Sequence, residues 1–339
     1  MIKEAIETIV RGNNLSMSEM VDVMDEIMTG KATSSQIGSF ITGLRMKGET
    51  VEEITGAVTV MRQKAAKIHT NGDVVDTCGT GGDGLHTFNI STISAFVAAG
   101  CGVKVAKHGN RSVSSRCGSA DLLMGLGVNI EAPIELVERC IEEIGIGFLF
   151  APMLHPAMKH AVGPRREIGI RTIFNILGPL TNPAGAKFQL IGVYDPELTE
   201  PMANVLKNLG TIRAFVVHGE EGLDEISISG KTKITELRNK KISTYFISPE
   251  NFGLKKGILE DICGGSIDEN VTLALDVLSG KEQQSRRDIV LLNAAFVLQA
   301  AGVTEDITEA VKLSAQSIDS GAAMKKLEMM RAMTNVIGH

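Results

Sequence analysis

Tryptophan is absent from the 339-residue chain and tyrosine occurs only twice. Its cores must therefore rest on Ile, Leu, Val, Met and Ala. No C-x-x-C spacing occurs, and the five cysteines (Cys78, Cys101, Cys117, Cys140 and Cys263) make an odd count. A disulfide framework is thus not expected, the cysteines read as small hydrophobes, and a reducing cytoplasm is the expected compartment. A basic excess is also missing: 34 Lys and Arg stand against 40 Asp and Glu, a net charge of −6. That excludes a general nucleic-acid binder, which needs cations against phosphates, although local basic patches remain allowed. The N-terminus, MIKEAIETIV, carries Glu4 and Glu7 and fits no secretory signal. The longest apolar run, Ile90–Ala106, is broken by Ser, Thr and Gly-Cys-Gly. It falls short of the ~18 clean apolar residues of a membrane span, and reads as a buried helix, a turn and a buried strand.

What is present is an ordinary globular composition at a length that favours two domains. Residues 1 to about 70 read as all-helical. Three capping boxes punctuate them, Ser16 with Glu19, Thr33 with Gln36 and Thr50 with Glu53, each placing a hydroxyl three residues before an acid or amide. Val21, Met24, Ile27 and Met28, then Ile37, Phe40, Ile41 and Leu44, recur at helical spacing, and Gly30 and Gly48 mark helix ends. These stripes suit a core or a dimer surface.

From Gly72 short apolar strands alternate with helices. DVVDTC, VKVAKH, VNI (128–130) and FLFAP read as strands, separated by the helices STISAFVAAG, SADLLMGLG and IELVERCIEEIG; FQLIGVY, AFVVHG and EISISG (225–230) add further strands, and four helices close the chain. Such alternation predicts an α/β fold with a mostly parallel central sheet behind the helical start. Residues 155–186 are helical in short pieces broken by prolines, and their packing partner is open at this level. No internal repeat or low-complexity linker occurs.

The first strand runs into DTCGTGGDGLHTFNIST, Asp76–Thr92, where Gly79, Gly81 and Gly84 satisfy G-x-G-x-x-G. A dinucleotide site also wants a helix opening inside the motif and an acid about 20 residues on. Here the chain stays non-helical through Phe88, and the next strand ends in Lys107. A phosphate loop of the Gly-Lys-[Ser/Thr] type is excluded because Leu85 and His86 follow the glycines. The glycines can instead bring backbone N–H groups close to an anion, and NIST (Asn89, Ile90, Ser91, Thr92) opens a helix whose N-terminus favours phosphate. One of Asn89 and Ser91 is expected to cap that helix.

The next strand delivers KHGNRSVSSRCGS, Lys107–Ser119, where cations and hydroxyls suit a polyphosphate. Consecutive parallel strands place both loops at the carboxyl edge of the sheet, where open α/β sheets bind ligands. Asp224 and Glu225 lie in a third loop and suit Mg²⁺, a weak signal alone given Glu220 and Glu221 beside them. His155 and His160, five apart, share a helix face poorly, so no zinc site is expected there.

GTGGD (79–83), NIST (89–92), KHGNRSVSS (107–115), GPRREIGIRTIFNILGPLTNP (163–183) and the Asp224–Glu225 pair together resemble the anthranilate phosphoribosyltransferase family, over essentially the whole chain. The resemblance implies a small all-α N-terminal domain (1–70, with part of 155–182 a candidate to join it) carrying a homodimer contact and a larger α/β domain (71–339). It implies transfer of a phosphoribosyl group from phosphoribosyl pyrophosphate to anthranilate, with Mg²⁺, in tryptophan biosynthesis, and no nucleic-acid or membrane partner. By the same resemblance the phosphoribosyl pyrophosphate site takes Gly79, Gly82, Asp83, Thr87, Asn89, Ile90, Ser91 and Thr92. From the second loop it takes Lys107, His108, Gly109, Asn110, Arg111, Ser112, Val113, Ser114, Ser115 and Ser119. Gly79, Asn110 and Arg165 would meet anthranilate, and Ser91, Asp224 and Glu225 would bind the metal.

Such a reaction develops positive charge on the ribose and negative charge on pyrophosphate, so it needs positioning and electrostatics more than proton transfer. Lys107, Asp224 and Glu225 are the expected electrostatic residues. An aniline-type amine is neutral at pH 7 and needs no strong base, with His108 available to assist its proton. Asp83 is expected to accept bonds from ribose hydroxyls or metal-bound water. A pyrimidine-nucleoside phosphorylase-type enzyme and a non-catalytic nucleic-acid-binding paralogue are the competing readings; the long motifs oppose the first and the net charge the second.

Overall fold

The computed structural model describes residues 1–112 and 116–336. Four helices open it: α1 (Ile2–Val10), α2 (Met17–Met28), α3 (Ser34–Lys47) and α4 (Val51–Lys64). The last three begin at the expected capping boxes, with each hydroxyl and each partner acid or amide reciprocally bonded. Gly48, at φ +90°, ends α3 in a conformation that residues with a Cβ rarely adopt. Met24, Ile27, Met28, Ile37, Phe40, Ile41 and Leu44 are all buried, as their spacing predicts.

The remainder builds one seven-stranded sheet of order β3-β2-β1-β4-β5-β6-β7. In chain order the elements are β1 (Val75–Gly79), α5 (Ile90–Gly100), β2 (Val105–Gly109), α6 (Ser119–Gly125), α7 (Ile134–Arg139, continued by a wider turn to Ile144) and β3 (Ile146–Phe150). Then follow α8 (Ala151–Leu154), α9 (Lys159–Ile168), α10 (Ile173–Leu177), β4 (Phe188–Gly192), α11 (Thr199–Asn208), β5 (Arg213–Gly219), β6 (Thr232–Arg238) and β7 (Lys241–Ile247). Helices α12 (Ile267–Leu278), α13 (Ser285–Ala300), α14 (Ile307–Asp319) and α15 (Ala322–Thr334) close the chain. The first five strands run parallel, and β6 pairs antiparallel with both β5 and β7. One face of the sheet packs on α5 and α12–α15, the other on α11 and the N-terminal helices. Among the described residues no helix is long and apolar enough to cross a membrane.

Two expected strands do not form. VNI buries Val128 and Ile130, but its backbone turns back on α6 through Val128 N–H to the Leu123 carbonyl and meets Thr334 of α15 at Asn129. In EISISG the alternation is real, with Ile226 and Ile228 fully buried, yet side chains take the place of a neighbouring strand. Asn293 bonds both backbone groups of Ile226, and the Thr232 hydroxyl accepts the Ser227 N–H. Conversely β6 and β7 form a hairpin that the sequence reading missed. Its turn residues, Asn239 and Lys240, both take positive φ, the geometry that matches strand twist in two-residue hairpins, without the glycine that usually announces it.

Residues 155–186 bridge the two regions. Helix α9 packs on α2 and α3, and α10 on α3 and α4. Just beyond, Gln189 donates to the Pro179 carbonyl and Asn182 to that of Ala106 on β2.

The helical region holds one buried ion pair, Lys47 to Glu53 at 2.9 Å, with Glu53 fully buried and also accepting the Leu15 and Thr50 N–H groups. Glu53→Ala leaves a buried ammonium without its counter-charge and two amides without an acceptor, so it is expected to destabilise the fold by about 3–5 kcal/mol. Glu53→Gln, which keeps an acceptor, should cost less. Urea unfolding checks both; a loss below about 1 kcal/mol for the alanine variant contradicts the assignment.

Candidate functional site

At the carboxyl edge of the sheet, β1 and β4 end side by side in Gly79 and Gly192. This is where strand order reverses, since β2 and β3 lie on one side of β1 and β4 and β5 on the other. Asp224 lies over the two glycines. A Cβ on Gly192 would sit 1.5 Å from the Asp224 carbonyl oxygen, and one on Gly79 2.5 Å from its Oδ2. Only glycine at both strand ends lets the acidic pair reach the edge.

The amides expected to face an anion are bound by these acids. Gly81 N–H donates to Asp224 Oδ2 at 2.8 Å, and Ser91 N–H to Glu225 Oε1 at 3.2 Å. A carboxylate at the start of α5 is where the helix dipole favours negative charge. The expectation that Asn89 or Ser91 caps α5 is not met. Asn89 sits at the cap position but its amide donates to the Cys117 carbonyl, and the Ser91 hydroxyl accepts from Lys107 at 3.3 Å. The Thr92 and Ile93 N–H groups are left to the Asn89 carbonyl. Ile90 and Thr92 turn their side chains into the core.

Lys107 is buried on β2 and its ammonium also donates to the Thr77 carbonyl and hydroxyl. It is thus a fixed positive charge beneath Ser91 and Glu225. Burial raises the Glu225 carboxyl above its usual range, and Asp224 raises it further, while Lys107 draws it back. Burial raises Asp224 as well, followed by the Asp83 carboxylate against it. Asp83 accepts the Leu85 N–H with Oδ1, and its Oδ2 is buried without a donor. Asp83 thus bears on Asp224 and Asp224 on Glu225, while Lys107 draws down Glu225 and, on β1, Asp76.

Asp76, also on β1, accepts the His108 N–H at 3.0 Å, and burial pushes it up to about 6. The His108 ring turns away from the loops. Its Nδ1 lies 3.2 Å from the Gly178 carbonyl and must donate to it, so its Nε2 accepts the His155 Nε2–H at 3.1 Å. Burial, and then His155, lower His108 to about 3; burial lowers His155 to about 4. His155 thus pairs with His108, not His160.

In the second loop Asn110 bonds the Arg111 N–H with Oδ1, and its carbonyl accepts the Ser119 hydroxyl. Gly109 packs against Ser119 and Phe148. Asp121 accepts the Ser112 N–H and pairs with Arg111 at 3.7 Å. Val113, Ser114 and Ser115 lie outside the described residues. Thr87 bridges to Cys263, the Gly82 carbonyl accepts from Arg171, and Arg165 of α9 lies over Phe174 at 5.1 Å. The contacts thus draw Gly79, Asp83, Ser91, Lys107, Asp224 and Glu225 into one cluster, with Arg165 on a separate wall.

Asn293 was not read from the sequence as part of the site. It is fully buried in α13, and it grips the backbone of Ile226 at 3.0 and 2.9 Å, fixing the residue after Glu225. A lone amide within IVLLNAAFVL was the available signal.

Comparison with known proteins bears directly on this arrangement. A family model described as the α/β domain of a glycosyl transferase family matches residues 71–324, and one for the helical bundle domain matches 3–65. The anthranilate phosphoribosyltransferase of Geobacter sp. strain M21 is 54% identical, with 99% of both chains covered. The chain belongs to the anthranilate phosphoribosyltransferase family. The solved structure of the Thermus thermophilus member superposes with a TM-score of 0.93 at 42% identity, covering 98% of this chain and 99% of the other. The Saccharomyces cerevisiae member, solved in complex with PRPP and Mg, superposes at 0.91 with 28% identity, covering 99% and 98%.

The residues present fit a hard divalent cation. Asp224, Glu225 and the Ser91 hydroxyl are oxygen donors, and the orphaned Asp83 Oδ2 faces the same cluster. Among the described residues no three His, Cys, Asp or Glu side chains converge as a ready-made metal cage. The remaining ligands of an ion such as Mg²⁺ would be phosphate oxygens and water, its usual mode beside phosphates.

The neutral histidine pair makes stability depend on pH. Both folded pKa values lie below the ordinary histidine value, so the unfolded chain takes up protons first as pH falls. The pair's contribution is full above pH ~6.5 and is lost towards pH ~4. His155→Asn should therefore lose about 2 kcal/mol less stability than the parent between pH 7.5 and pH 5. Urea midpoints at the two pH values measure this, and parallel losses refute it.

Proposed function

We propose that this chain transfers the phosphoribosyl group of phosphoribosyl pyrophosphate to the amine of anthranilate, giving N-(5-phosphoribosyl)anthranilate and pyrophosphate, a step of tryptophan biosynthesis. The observation that carries the reading is the convergence of Asp224 and Glu225 on the anion-directed amides of Gly81 and Ser91, in a chain similar end to end to enzymes of that name. Loss of anthranilate fluorescence on mixing with phosphoribosyl pyrophosphate, with and without Mg²⁺, tests it. Pyrophosphate must be the second product; phosphate would indicate a phosphorylase.

Mg²⁺ held by Ser91, Asp224 and Glu225 would neutralise charge on the departing pyrophosphate. The chain's own part is positioning. The Gly81 and Ser91 amides suit phosphate oxygens as they suit carboxylates. Gly82, Thr87, Asn89 and the Lys107–Ser115 loop with Ser119 complete the donor site in this reading, and Asp83 accepts from ribose hydroxyls or water. Lys107, committed beneath Ser91, acts as a fixed countercharge. Arg165 grips the anthranilate carboxylate as a fork, with Gly79 and Asn110 beside it. No general base is required, because the amine is neutral; His108, bonded to Gly178 and His155, holds the loop.

This reading assigns the dimer contact to residues 1–70, where Val10 and Met46 are exposed, and the chemistry to 71–339. It makes the enzyme a homodimer and places it in the cytoplasm, the latter supported by five cysteines among which no disulfide forms, as suits a reducing compartment.

Asp224→Asn combined with Glu225→Gln should lower turnover on the order of a hundredfold and flatten its Mg²⁺ dependence. An unchanged metal titration contradicts the metal role. Arg165→Ala should raise the anthranilate KM about tenfold or more, the scale of a lost bidentate bond, with phosphoribosyl pyrophosphate affinity nearly intact. Equal losses for both ligands in calorimetry contradict that assignment.

A further inference from the structure

Arg171 lies in the short connection between α9, which carries Arg165, and α10. Its guanidinium sits over the ring of Tyr194 at 4.2 Å and donates to the Gly82 carbonyl of the glycine loop. Tyr194 follows β4, and its own N–H donates to the Thr80 hydroxyl at 3.1 Å, while Thr80 N–H donates to the Gly192 carbonyl at 2.9 Å. The contacts close a ring from Thr80 through Tyr194 and Arg171 to Gly82, two residues further along the same loop. Gly82 takes φ +79°, and a Cβ there would approach the guanidinium to 3.2 Å, so the loop residue is shaped to the clamp. A planar cation can stack on the ring and donate in its own plane at once, which an ammonium cannot.

We infer that Arg171 is a positioning residue that ties the acceptor wall to the donor loop. Resting on the function proposed above, it holds the Gly81 and Gly82 backbone in register for phosphoribosyl pyrophosphate, through a segment that also carries the anthranilate-directed Arg165. Arg171 is exposed, so its loss leaves the core unchanged.

The experiment compares Arg171→Ala, Arg171→Lys, Tyr194→Leu and Tyr194→Phe in the full chain. Arg171→Ala and Tyr194→Leu should each raise the KM for phosphoribosyl pyrophosphate on the order of tenfold, with melting temperatures close to the parent's. Tyr194→Phe, which keeps the ring, should restore parental values, and Arg171→Lys should not. The double variant Arg171→Ala with Tyr194→Leu should be no worse than either single change, because both open one clamp. Amide hydrogen exchange over residues 79–86 in the protein alone should quicken in Arg171→Ala. Parental KM values in Arg171→Ala, additive losses in the double variant, or unchanged exchange overturn the inference. The exchange arm uses no substrate, so it separates failure of the clamp from failure of the proposed reaction, which would show as an inert parent enzyme.

Discussion

Negative charge facing negative charge is the constraint around which this site is arranged. Asp83, Asp224 and Glu225 crowd the carboxyl edge of the sheet, with the Lys107 ammonium fixed beside Glu225. The arrangement holds because Asp224 and Glu225 bond amides directed at anions, one in the glycine loop and one at the start of α5. Desolvation raises both carboxyls, a cost the fold carries at its functional edge. In the proposed reading a polyphosphate and a divalent cation binding together would relieve it, phosphate taking the amides and the metal the carboxylates. A bare phosphate would compete with the acids for the same amides. On that reading, the acid within an anion-directed loop would follow from a ligand that carries its own cation.

The rest of the fold delivers these groups to one place. Parallel strands bring Gly79, Gly109 and Gly192 to the same edge, and the reversal of strand order at β1 and β4 opens the crevice. Over it the backbone of Asp224 passes too close for any side chain on Gly192. Much of what holds the acidic loop comes from behind the sheet. Asn293 clamps Ile226, and Glu221 accepts the hydroxyls of Ser227 and Ser229. On the opposite wall, the His108–His155 pair and Asn182 tie β2 to the segment that leads from Arg165 to β4.

Local chemistry made part of this legible. The three capping boxes act within four residues, so their hydroxyl and acid spacing predicts α2, α3 and α4 directly. The parallel strands were readable because apolar runs alternate with helical periodicity. EISISG was misread because alternation reports burial, not pairing; what separates a strand from a side-chain-anchored segment is a distant residue, Asn293. The hairpin of β6 and β7 was missed because Asn239–Lys240 lacks the glycine that usually marks positive φ. Within the site, the glycines, Lys107 and the acidic pair stood out as residue types. Their mutual arrangement did not: Ser91 looked like a cap, and the helix start looked open, because the partner of its N–H lies 134 residues away.

Electrostatic catalysis requires dipoles and charges to be in place before the substrate arrives, since reorganising them would consume what they contribute. Backbone amides in a glycine-rich loop are poor candidates unless something restricts them, because glycine gives up the most conformational freedom on ordering. Here the restriction is supplied by polar groups, one of them the proposed metal ligand Asp224. Asp224 holds Gly81, the Thr80 hydroxyl holds Tyr194, and Arg171 holds Gly82. Each is polar, and each binds a main-chain atom rather than packing against a side chain. Hydrophobic contact is non-directional and would keep the loop near the sheet without aiming its N–H groups. Directed bonds from outside the loop give that aim, which is why the loop can be rich in glycine and still present fixed donors.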